Sequence, residues 1–306
     1  MRQAVAQQAK IAVVVLNYNS ADHTLRCLEA IRARSAVQPE IVVVDNASAP
    51  ADREKLKPLT REGVKLIDAP RNLGFSGGMM LGARHTQADY CLLLNSDCAF
   101  QNDVLGILQG FMQSHPDAAL CGAAMLDESG EPRSSFNYFP SLAHSLFGYG
   151  LSKLLNPRRY PDRRARHTEP LEVDVVSGAA MFMRCTVMAE LGGLDTGYFL
   201  YCEEEDYALR VRRAGLQTWL VPEARIMHVG GASSQGAELK PRLQQEFYIS
   251  FCRYLRLHYT PAYGFAFRLV TALKLLKRAL TGRAPFALAG FVLRGGPESA
   301  SLRHQA

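Results

Sequence analysis

Asn95-Ser96-Asp97 directly follows the apolar run 90–94, and the Asp97 carboxylate is a candidate metal ligand. Such a run is typical of a strand buried inside an α/β sheet, and ligands of these sheets bind at the carboxyl ends of the strands. Mg²⁺ and Mn²⁺ prefer oxygen ligands, usually one or two carboxylates together with substrate phosphates. The tripeptide could also form a simple turn, so the interpretation depends on which other residues reach the same edge.

Asp45 directly follows a second apolar run, 41–44, so its carboxylate is expected at the same sheet edge as Asp97. There it would accept a hydrogen bond from the base or ribose of a nucleotide; a helix N-cap or a turn is the alternative. Asn72 and the glycine-rich stretch 74–78 would let the backbone approach the ligand closely. Alternatively, the glycines form a tight loop before a helix.

An acidic cluster at 203–206 opens a predicted helix over 203–214 that ends in arginines and Gly215. The acids could simply complement the helix dipole, and Asp206 could pair with Arg210 four residues later. Four acids exceed what a helix start needs, so one carboxylate could act as a general base toward an acceptor hydroxyl. His228 follows a strand-like run and precedes two glycines, which suits either a ligand or diphosphate contact or a structural histidine.

Strands and helices are predicted to alternate through the first hundred residues, which indicates βαβ units and a parallel sheet. The predicted strands are 11–16, 41–44, 64–67 and 90–94, with a helix over 24–34. The second half differs. Its predicted elements are a helix over 103–114, a strand over 120–125, an irregular stretch over 127–170, and a strand over 173–176.

The composition is that of a globular protein with a sizeable core: 306 residues, of which 48% are hydrophobic. The seven cysteines are odd in number and never spaced Cys-x-x-Cys, which favours reduced thiols over a disulfide framework or a zinc site. Residues 1–10 are polar and do not resemble a signal peptide. We therefore expect a cytoplasmic protein.

The net charge of +6 is concentrated in the tail, where residues 253–306 carry nine Lys or Arg and one acid. No uncharged apolar run there approaches the roughly 20 residues that a spanning helix needs. Apolar residues nevertheless recur at helical spacing among basic ones: Phe265, Leu269, Leu273, Leu276 and Leu280, with Arg268, Lys274, Lys277 and Arg278. This pattern predicts a helix that lies on an anionic membrane surface, or one that packs on the rest of the protein.

Eight motifs between residues 10 and 234 resemble, in their order, those of family 2 glycosyltransferases, and within these the rhamnosyltransferase-like branch. They are Val-Leu-Asn-Tyr-Asn (15–19), Val-Val-Val-Asp-Asn-Ala-Ser (42–48), Asn-Leu-Gly-Phe-Ser-Gly-Gly (72–78), Leu-Leu-Leu-Asn-Ser-Asp (92–97), Ser-Gly-Ala-Ala (177–180), Leu-Gly-Gly-Leu-Asp (191–195), Tyr-Cys-Glu-Glu-Glu-Asp (201–206) and His-Val-Gly-Gly-Ala-Ser-Ser (228–234).

The resemblance implies an α/β protein of the GT-A fold, with a Rossmann-like, mostly parallel central sheet flanked by helices and a C-terminal helical extension. The catalytic domain would span residues 10–235, with a nucleotide-binding half at about 10–100 and an acceptor half at about 101–235. Residues 236–306 would form the basic helical extension. The irregular stretch 127–170 would read the acceptor.

The implied activity is inverting, metal-dependent transfer with Mg²⁺ or Mn²⁺. The donor would be a nucleoside-diphosphate sugar, dTDP-rhamnose or a UDP-sugar. The acceptor would be a saccharide or a polyisoprenyl-linked saccharide in cell-surface polysaccharide synthesis. We expect no nucleic-acid partner, and a cytoplasmic protein that can lie peripherally on the inner face of the plasma membrane.

The resemblance also assigns roles to individual residues. Asp97 and His228 would serve the metal and the diphosphate, and Glu204 would be the base, with Glu203 and Asp206 as rivals. The expected nucleotide-binding residues are Asn17, Asp45, Asn72, Gly74 and Asn95, and the expected acceptor residues are Gly178 and Asp195.

Two departures from the family pattern affect the site: Met79 and Met80 replace two asparagines, and Glu204 stands where the family often has Asp. Two other classes of protein share parts of this pattern. A Rossmann dehydrogenase would need Gly-x-Gly-x-x-Gly after the first strand, where this chain has Asn-Tyr-Asn-Ser. A non-catalytic sugar-nucleotide-binding protein would need Asp45 and Asp97 but not Glu204.

Overall fold

The computed structural model of the protein describes residues 9–230 and 239–304. The strands in these ranges are β1 Ile11–Asn17, β2 Glu40–Asp45, β3 Lys65–Asp68, β4 Tyr90–Asn95, β5 Cys98–Phe100, β6 Ala118–Leu126, β7 Phe136–Asn137, β8 Leu171–Glu172, β9 Val175–Val176, β10 Ala180–Arg184 and β11 Gln217–His228. The helices are α1 Ala21–Arg34, α2 Pro50–Leu56, α3 Gly74–Ala83, α4 Val104–Ser114, α5 Leu142–Phe147, α6 Tyr149–Leu155, α7 Cys185–Leu191, α8 Glu203–Arg213, α9 Leu239–His258, α10 Pro261–Leu280 and α11 Phe286–Leu293.

One large mixed sheet runs in the order β3-β2-β1-β4-β10-β6-β11-β5, with β8 beside β11. Pairing is parallel from β3 to β4, as the βαβ pattern predicts. Beyond β4 it changes, because β10 is antiparallel to both β4 and β6, and β5 is antiparallel to β11. The parallel arrangement expected for most of the sheet is therefore confined to its first half and to the β6–β11 pair.

The central strands are apolar throughout because both faces of the sheet are covered. Val13 and Leu92 pack into the cluster on one side, whereas Val14 and Leu93 pack into the cluster on the other. All four residues are fully buried. Alternate side chains of a strand point to opposite faces, so a strand that is buried on both faces shows a continuous apolar run.

The glycine-rich stretch 74–78 forms the start of helix α3, and not a tight loop before a helix. The close approach of its backbone to a ligand stays a prediction. Gly74 has a φ of +72°, and a Cβ there would lie 2.2 Å from the carbonyl oxygen of Phe199. A Cβ on Gly78 would lie 2.3 Å from Leu16 of β1. These glycines let α3 pack closely on the sheet and on the chain that precedes α8.

The stretch 127–170, predicted to be irregular, contains β7 and the short helices α5 and α6. Of the strand predicted over 173–176, only β9 at 175–176 is present, and it pairs with β7. A separate short strand, β8, lies just before it at 171–172 and pairs with β11. A single periodic run cannot show such a division, because the two strands are held by distant parts of the chain.

The C-terminal helices have a core of their own and are docked on the sheet domain by α9. Ile249, Leu275 and Leu288 belong to the core that α9, α10 and α11 share. The Ser250 hydroxyl donates to the carbonyl of Leu200 at 2.7 Å, just before α8. The expected domain boundary at residue 235 stays a prediction, because residues 231–238 lie outside the described ranges.

Candidate active site

The carboxyl ends of β1, β2 and β4 meet at one edge of the sheet. Asn17 lies opposite Asp45 in the β1–β2 register, and Asn95 lies opposite Leu16 in the β1–β4 register. Asp97 lies in the turn between β4 and β5. The structure thus brings both carboxylate-bearing strand ends to the same edge, as the sequence predicts.

Asp97 and His228 form a close pair at the end of β11. Nε2 of His228 lies 3.2 Å from Oδ1 of Asp97, and the antiparallel β5–β11 register sets His228 opposite Cys98. The Gly230 backbone N–H donates to Oδ2 of Asp97 at 3.0 Å, and the Val229 N–H donates to the Asp97 carbonyl at 3.2 Å. The end of β11 therefore closes over the carboxylate. The remainder of the His228 motif, residues 231–234, lies outside the described ranges.

This pair fits a divalent cation. The ligand atoms of Asp97, Cys98 and His228 lie within 4.8 Å of one another, a spacing that a single ion can bridge. The Cys98 thiol donates to the Ala179 carbonyl at 3.6 Å and belongs to the buried core. A carboxylate and an imidazole remain, which can hold Mg²⁺ or Mn²⁺ when phosphate oxygens complete the coordination.

Asp45 is buried in a network at the end of β2. Its Oδ1 accepts from the Asn17 amide at 3.0 Å, and its Oδ2 lies 3.2 Å from Nε of Arg53 and accepts from the Ser48 N–H at 3.3 Å. The residue is only 1% exposed. A nucleobase would have to share these oxygens with protein donors, so the expected nucleobase role of Asp45 stays a prediction.

Asn17 is the centre of this network, which contradicts its expected contact with the nucleotide. Its amide nitrogen donates to Asp45, Ser48 and Asp52 at 2.9–3.0 Å, and its carbonyl oxygen accepts from the Thr24 hydroxyl at 2.8 Å. The residue is fully buried. Protein groups use the whole side chain, so Asn17 fixes the ends of β1 and β2 and does not reach a ligand.

Asn46 is a site residue that sequence reasoning missed, although it directly follows Asp45 in the chain. Its amide donates to Oδ1 of Asn72 at 2.9 Å and to the Gly74 carbonyl at 3.1 Å, and its own Oδ1 accepts from the Leu73 N–H. Asn46 therefore holds the turn before α3 against the sheet edge. No described residue accepts from the amide nitrogen of Asn72, which is partly exposed and remains suited to a nucleotide contact.

Helix α8 begins with an unusual backbone, and of its first three glutamates Glu203 is buried and Glu204 and Glu205 are partly buried. Tyr201 and Cys202 both have positive φ, +75° and +65°, which is uncommon for residues other than glycine and concentrates at functional sites. Glu203, Glu204 and Glu205 each have a buried Oε2 with no hydrogen-bond partner among the described residues. Buried polar atoms without partners are exceptional in folded proteins, and such atoms are candidates for ligand contact. The carboxyl groups of Glu204 and Glu205 can hydrogen-bond to each other when one of them is protonated.

Burial raises the pKa of all three glutamates above the usual carboxyl range. In Glu203 and Glu205 the neighbouring charge of Glu204 adds to this rise in the pKa. In Glu204, backbone N–H groups of Glu204 itself and of Gly178 oppose the rise in the pKa. The cluster thus resists full ionisation, and a carboxyl with a raised pKa is suited to accept a proton near neutral pH.

The segment before β10 joins this cluster to the Asp97–His228 pair. A Cβ on Gly178 would lie 3.3 Å from Oε1 of Glu204, so the backbone of Gly178 faces the carboxylate. The next residue, Ala179, accepts from the Asn95 backbone N–H at 2.9 Å and from the Cys98 thiol. One short backbone segment therefore contacts both Glu204 and the residues that flank Asp97, Asn95 and Cys98.

Asp206, the expected rival base, is engaged elsewhere. Its Oδ2 lies 2.6 Å from a guanidinium nitrogen of Arg210, and its Oδ1 lies 2.6 Å from Nε2 of His258 on α9. Burial favours the neutral carboxyl, but the hydrogen bond from His258 and the charge of Arg210 outweigh it and lower the pKa of Asp206. An anchored carboxylate with a lowered pKa is a poor base, so the structure corrects this prediction in favour of Glu203 and Glu204.

Asp195 also has a structural partner. Its Oδ2 lies 2.8 Å from Arg253 of α9, and its Oδ1 accepts from the Gly197 N–H at 2.8 Å. These contacts fix α9 on the loop before α8. The acceptor role expected for Asp195 has no support from them, whereas Gly178 lies directly against the base cluster.

Arg133 is a second residue that sequence reasoning missed. Its guanidinium donates to the Val229 carbonyl at 3.3 Å and lies 3.0 Å from the position of a Cβ on Gly230. The exposed cation thus stands beside the Asp97–His228 pair. The stretch 127–170 has no motif that could have singled out one arginine among several.

Solved structures with this fold are glycosyltransferases. GalNAc-T7, solved with UDP, GalNAc and Mn²⁺, matches with a TM-score of 0.63 at 15% identity over 94% of this chain and 56% of its own. The mannosyltransferase PcManGT from Pyrobaculum calidifontis, solved with GDP-Man and Mn²⁺, matches with a TM-score of 0.55 at 15% identity over 96% of this chain and 74% of its own. The protein spans just over half the length of the first of these structures. The fold is that of the GT-A glycosyltransferases.

Residues 12–192 match the model of Glycosyl transferase family 2, and the chain belongs to that family. The N-acetylglucosaminyl-diphospho-decaprenol L-rhamnosyltransferase of Mycobacterium tuberculosis is 25% identical over 237 residues, 71% of this chain and 75% of the relative. The rhamnosyltransferase WbbL of Escherichia coli is 28% identical over 146 residues, 47% of this chain and 54% of the relative. The protein is therefore a glycosyltransferase, as its motifs suggest.

Proposed function

We propose that the protein transfers a hexose, with inversion and with a divalent metal, from a nucleoside-diphosphate sugar to a saccharide or lipid-linked saccharide. The observation that carries the proposal is the adjacency of the Asp97–His228 pair to Glu204 across Gly178 and Ala179. One side of this segment can hold the leaving diphosphate, and the other can deprotonate the acceptor. A protein that only binds sugar nucleotides would not need the three adjacent glutamates at the start of α8.

On the donor side, Asp97 and His228 would hold Mg²⁺ or Mn²⁺ together with the diphosphate. When bound, the cation supplies Lewis-acid stabilisation of the negative charge that develops on the leaving diphosphate. Arg133 can pair with a phosphate oxygen beside it, since guanidinium groups bind phosphate well. Asn72 and Asn95, at the same sheet edge, are proposed to contact the nucleoside, and Asp45 is proposed to contact its base.

On the acceptor side, Glu204 takes the proton of the acceptor hydroxyl. The hydroxyl oxygen attacks the anomeric carbon as the bond from that carbon to the diphosphate breaks, so one displacement inverts the configuration. Gly178 lets the backbone lie close to the Glu204 carboxylate and leaves space for the acceptor. Glu203 remains the rival base. We place the catalytic domain at residues 10–235, with donor contacts in 10–100 and acceptor contacts in 101–235, and the helical extension at 236–306.

The proposed donor is dTDP-rhamnose, because relatives from Mycobacterium tuberculosis and Escherichia coli are rhamnosyltransferases. A UDP-hexose is the second candidate, since another relative is the hexosyltransferase Agl10 of Haloferax volcanii, 25% identical over 211 residues. The proposed acceptor is a polyisoprenyl-linked saccharide of cell-surface polysaccharide synthesis, by analogy with the decaprenol in the name of the first relative.

The test is a donor panel with purified protein. Unfolding midpoints and nucleoside-diphosphate release are measured with dTDP-rhamnose, UDP-glucose and GDP-mannose, in Mn²⁺ and in chelator. We expect one donor to raise the midpoint only with metal, since a ligand that binds the folded state stabilises it. Asp97→Ala should remove this effect, whereas Asp117→Ala, at an exposed carboxylate just before β6, should not. Full turnover of Asp97→Ala in controlled metal, or a product of retained configuration, would contradict the proposal.

A further inference from the structure

Helix α10 has two apolar faces, and only one of them is packed. Gly264, Phe267, Ala272, Leu275 and Ala279 are buried against the rest of the protein. A second apolar stripe on the same helix is left exposed. Each of its side chains is between 37% and 77% exposed. Its members are Phe265, Leu269, Leu273, Leu276 and Leu280. The open stripe runs the length of the helix, because its residues recur at intervals of three and four.

The open surface continues onto α5, which packs along α10. The Leu142 N–H donates to the hydroxyl of Tyr263 at 2.9 Å, and the Lys274 ammonium donates to the carbonyl of Ser145. Leu146 and Phe147 directly follow Ser145 and are 53% and 72% exposed. We call the combined surface of Leu146, Phe147, Leu269, Leu273, Leu276 and Leu280 the docking face.

The charged residues of α10 are all basic: Arg268, Lys274, Lys277 and Arg278. The basic residues beyond α5 are partly paired, since Lys153 lies 3.0 Å from Asp162 and Arg159 pairs with Asp174. Lys277 and Arg278 are exposed. Basic residues beside an apolar stripe attract an anionic surface, and each contributes roughly 1 kcal/mol of binding free energy near anionic lipid.

An anionic bilayer fits this face better than a second copy of the chain. In a symmetric dimer the same patch meets itself, and the basic residues of the two copies would then face one another without acids to pair with. A bilayer takes up the leucines and supplies the negative charge. None of the helices in residues 9–230 and 239–304 is long and apolar enough to cross a membrane, and an amphipathic helix of this kind lies in the plane of the interface.

We propose that the docking face binds an anionic lipid bilayer in the plane of its headgroups. The inference rests on the proposed function, in which the acceptor is lipid-linked. It goes further by joining α10 to α5, which lies in the stretch expected to read the acceptor. Docking of both helices would hold the acceptor side of the active site at the membrane surface, where a polyisoprenyl-linked saccharide is found.

The test is flotation of the full chain with phosphatidylcholine vesicles, with and without phosphatidylglycerol. We expect binding only to the anionic vesicles and weaker binding as salt rises. The double substitution Leu273→Glu and Leu276→Glu should abolish flotation. Leu257→Glu is the matched control, because Leu257 is 50% exposed but lies on α9, outside the docking face; this variant should bind like the wild type.

A second variant keeps the test decisive if the leucine substitutions disturb folding. Lys277→Gln with Arg278→Gln changes only exposed side chains and should weaken binding at low salt by roughly 30-fold. Wild-type flotation of both double variants would overturn the proposal. So would the absence of vesicle binding together with a dimer that the leucine substitutions dissociate. Transfer to a short soluble acceptor is measured in parallel. If the wild type transfers sugar but does not float, only the docking inference is wrong. If the wild type floats but does not transfer sugar, the proposed function is wrong instead.

Discussion

Gly178 lies directly against the carboxylate of Glu204. A Cβ on Gly178 would come 3.3 Å from Oε1 of Glu204, closer than most side-chain contacts of a Cβ. The same short segment binds the backbone of Asn95 through the Ala179 carbonyl. The position of the base candidate is therefore tied to the strand end that leads to Asp97.

Gly178→Ala should displace the Glu204 carboxylate by a few tenths of an ångström. We expect turnover to fall by up to roughly tenfold, because misplacement by about 1 Å can cost 10²-fold. The free energy of unfolding should change little, since Gly178 has no positive φ that disfavours alanine. Steady-state kinetics and urea unfolding measure the two effects. Gly110→Ala, where a Cβ would meet nothing within 4 Å, is the control and should retain full turnover.

Glu203→Gln should stabilise the protein near neutral pH. Burial and the neighbouring carboxylates raise the pKa of Glu203 well above its usual value. Such a carboxyl favours the folded state while protonated, and this contribution is lost as pH rises above the pKa of the unfolded chain. Gln stays neutral, so the free energy of unfolding should rise by about 0.5–2 kcal/mol at neutral pH. Thermal unfolding across pH should show the gain disappear toward about pH 4, and a loss at neutral pH would contradict the assignment.

Asp206→Asn should have the opposite effect. The hydrogen bond from His258 and the charge of Arg210 overcome burial and lower the pKa of Asp206. Its contribution to stability is present above the unfolded pKa of about 4 and is lost as pH falls through the lowered folded value. We expect a loss of about 2–4 kcal/mol near neutral pH. Asp195→Asn, which removes a more exposed ion pair with Arg253, should cost less than about 1 kcal/mol.

Asn17→Ala tests the structural role that replaces the expected nucleotide contact. The substitution removes the side-chain amide that donates to the carboxylates of both Asp45 and Asp52 in this network. We expect a loss of about 2–3 kcal/mol in the free energy of unfolding. Donor affinity, corrected for the folded fraction, should stay near the wild-type value. A variant of normal stability with weakened donor binding would restore Asn17 to the nucleotide site.

The parallel part of the sheet was predictable because its central strands are buried on both faces, and such strands are visible as apolar runs. Asp97 and His228 were recognised for the same reason, since each stands beside the end of a strand. Asn17 has the same pattern but a different role. Whether a polar residue at a strand end contacts a ligand or fills a buried network depends on Asp45 and Asp52, 28 and 35 residues away, which no local pattern shows.

The choice among the acids of α8 could not be made from sequence either. Successive helical residues point about 100° apart, so neighbouring acids face different surroundings. Asp206 is identified as structural by its pair with Arg210, which the sequence offered only as an alternative, together with His258, which lies 52 residues later in the chain. The helices α5 and α6 were missed because both are short and Gly148 separates them, so their stability comes from packing against α10 and the residues around it.

Glu204 is proposed as the catalytic base, and this role is tested by comparing turnover with donor affinity in Glu204→Gln. Gln keeps the size of the side chain but cannot accept a proton, so turnover should fall by about 10²–10⁴-fold while donor affinity is unchanged. In the wild type, turnover should rise with pH through a pKa above the usual range of Glu, because burial raises the pKa of Glu204 and the base must be ionised. Wild-type turnover in Glu204→Gln, with activity lost instead in Glu203→Gln, would contradict the account.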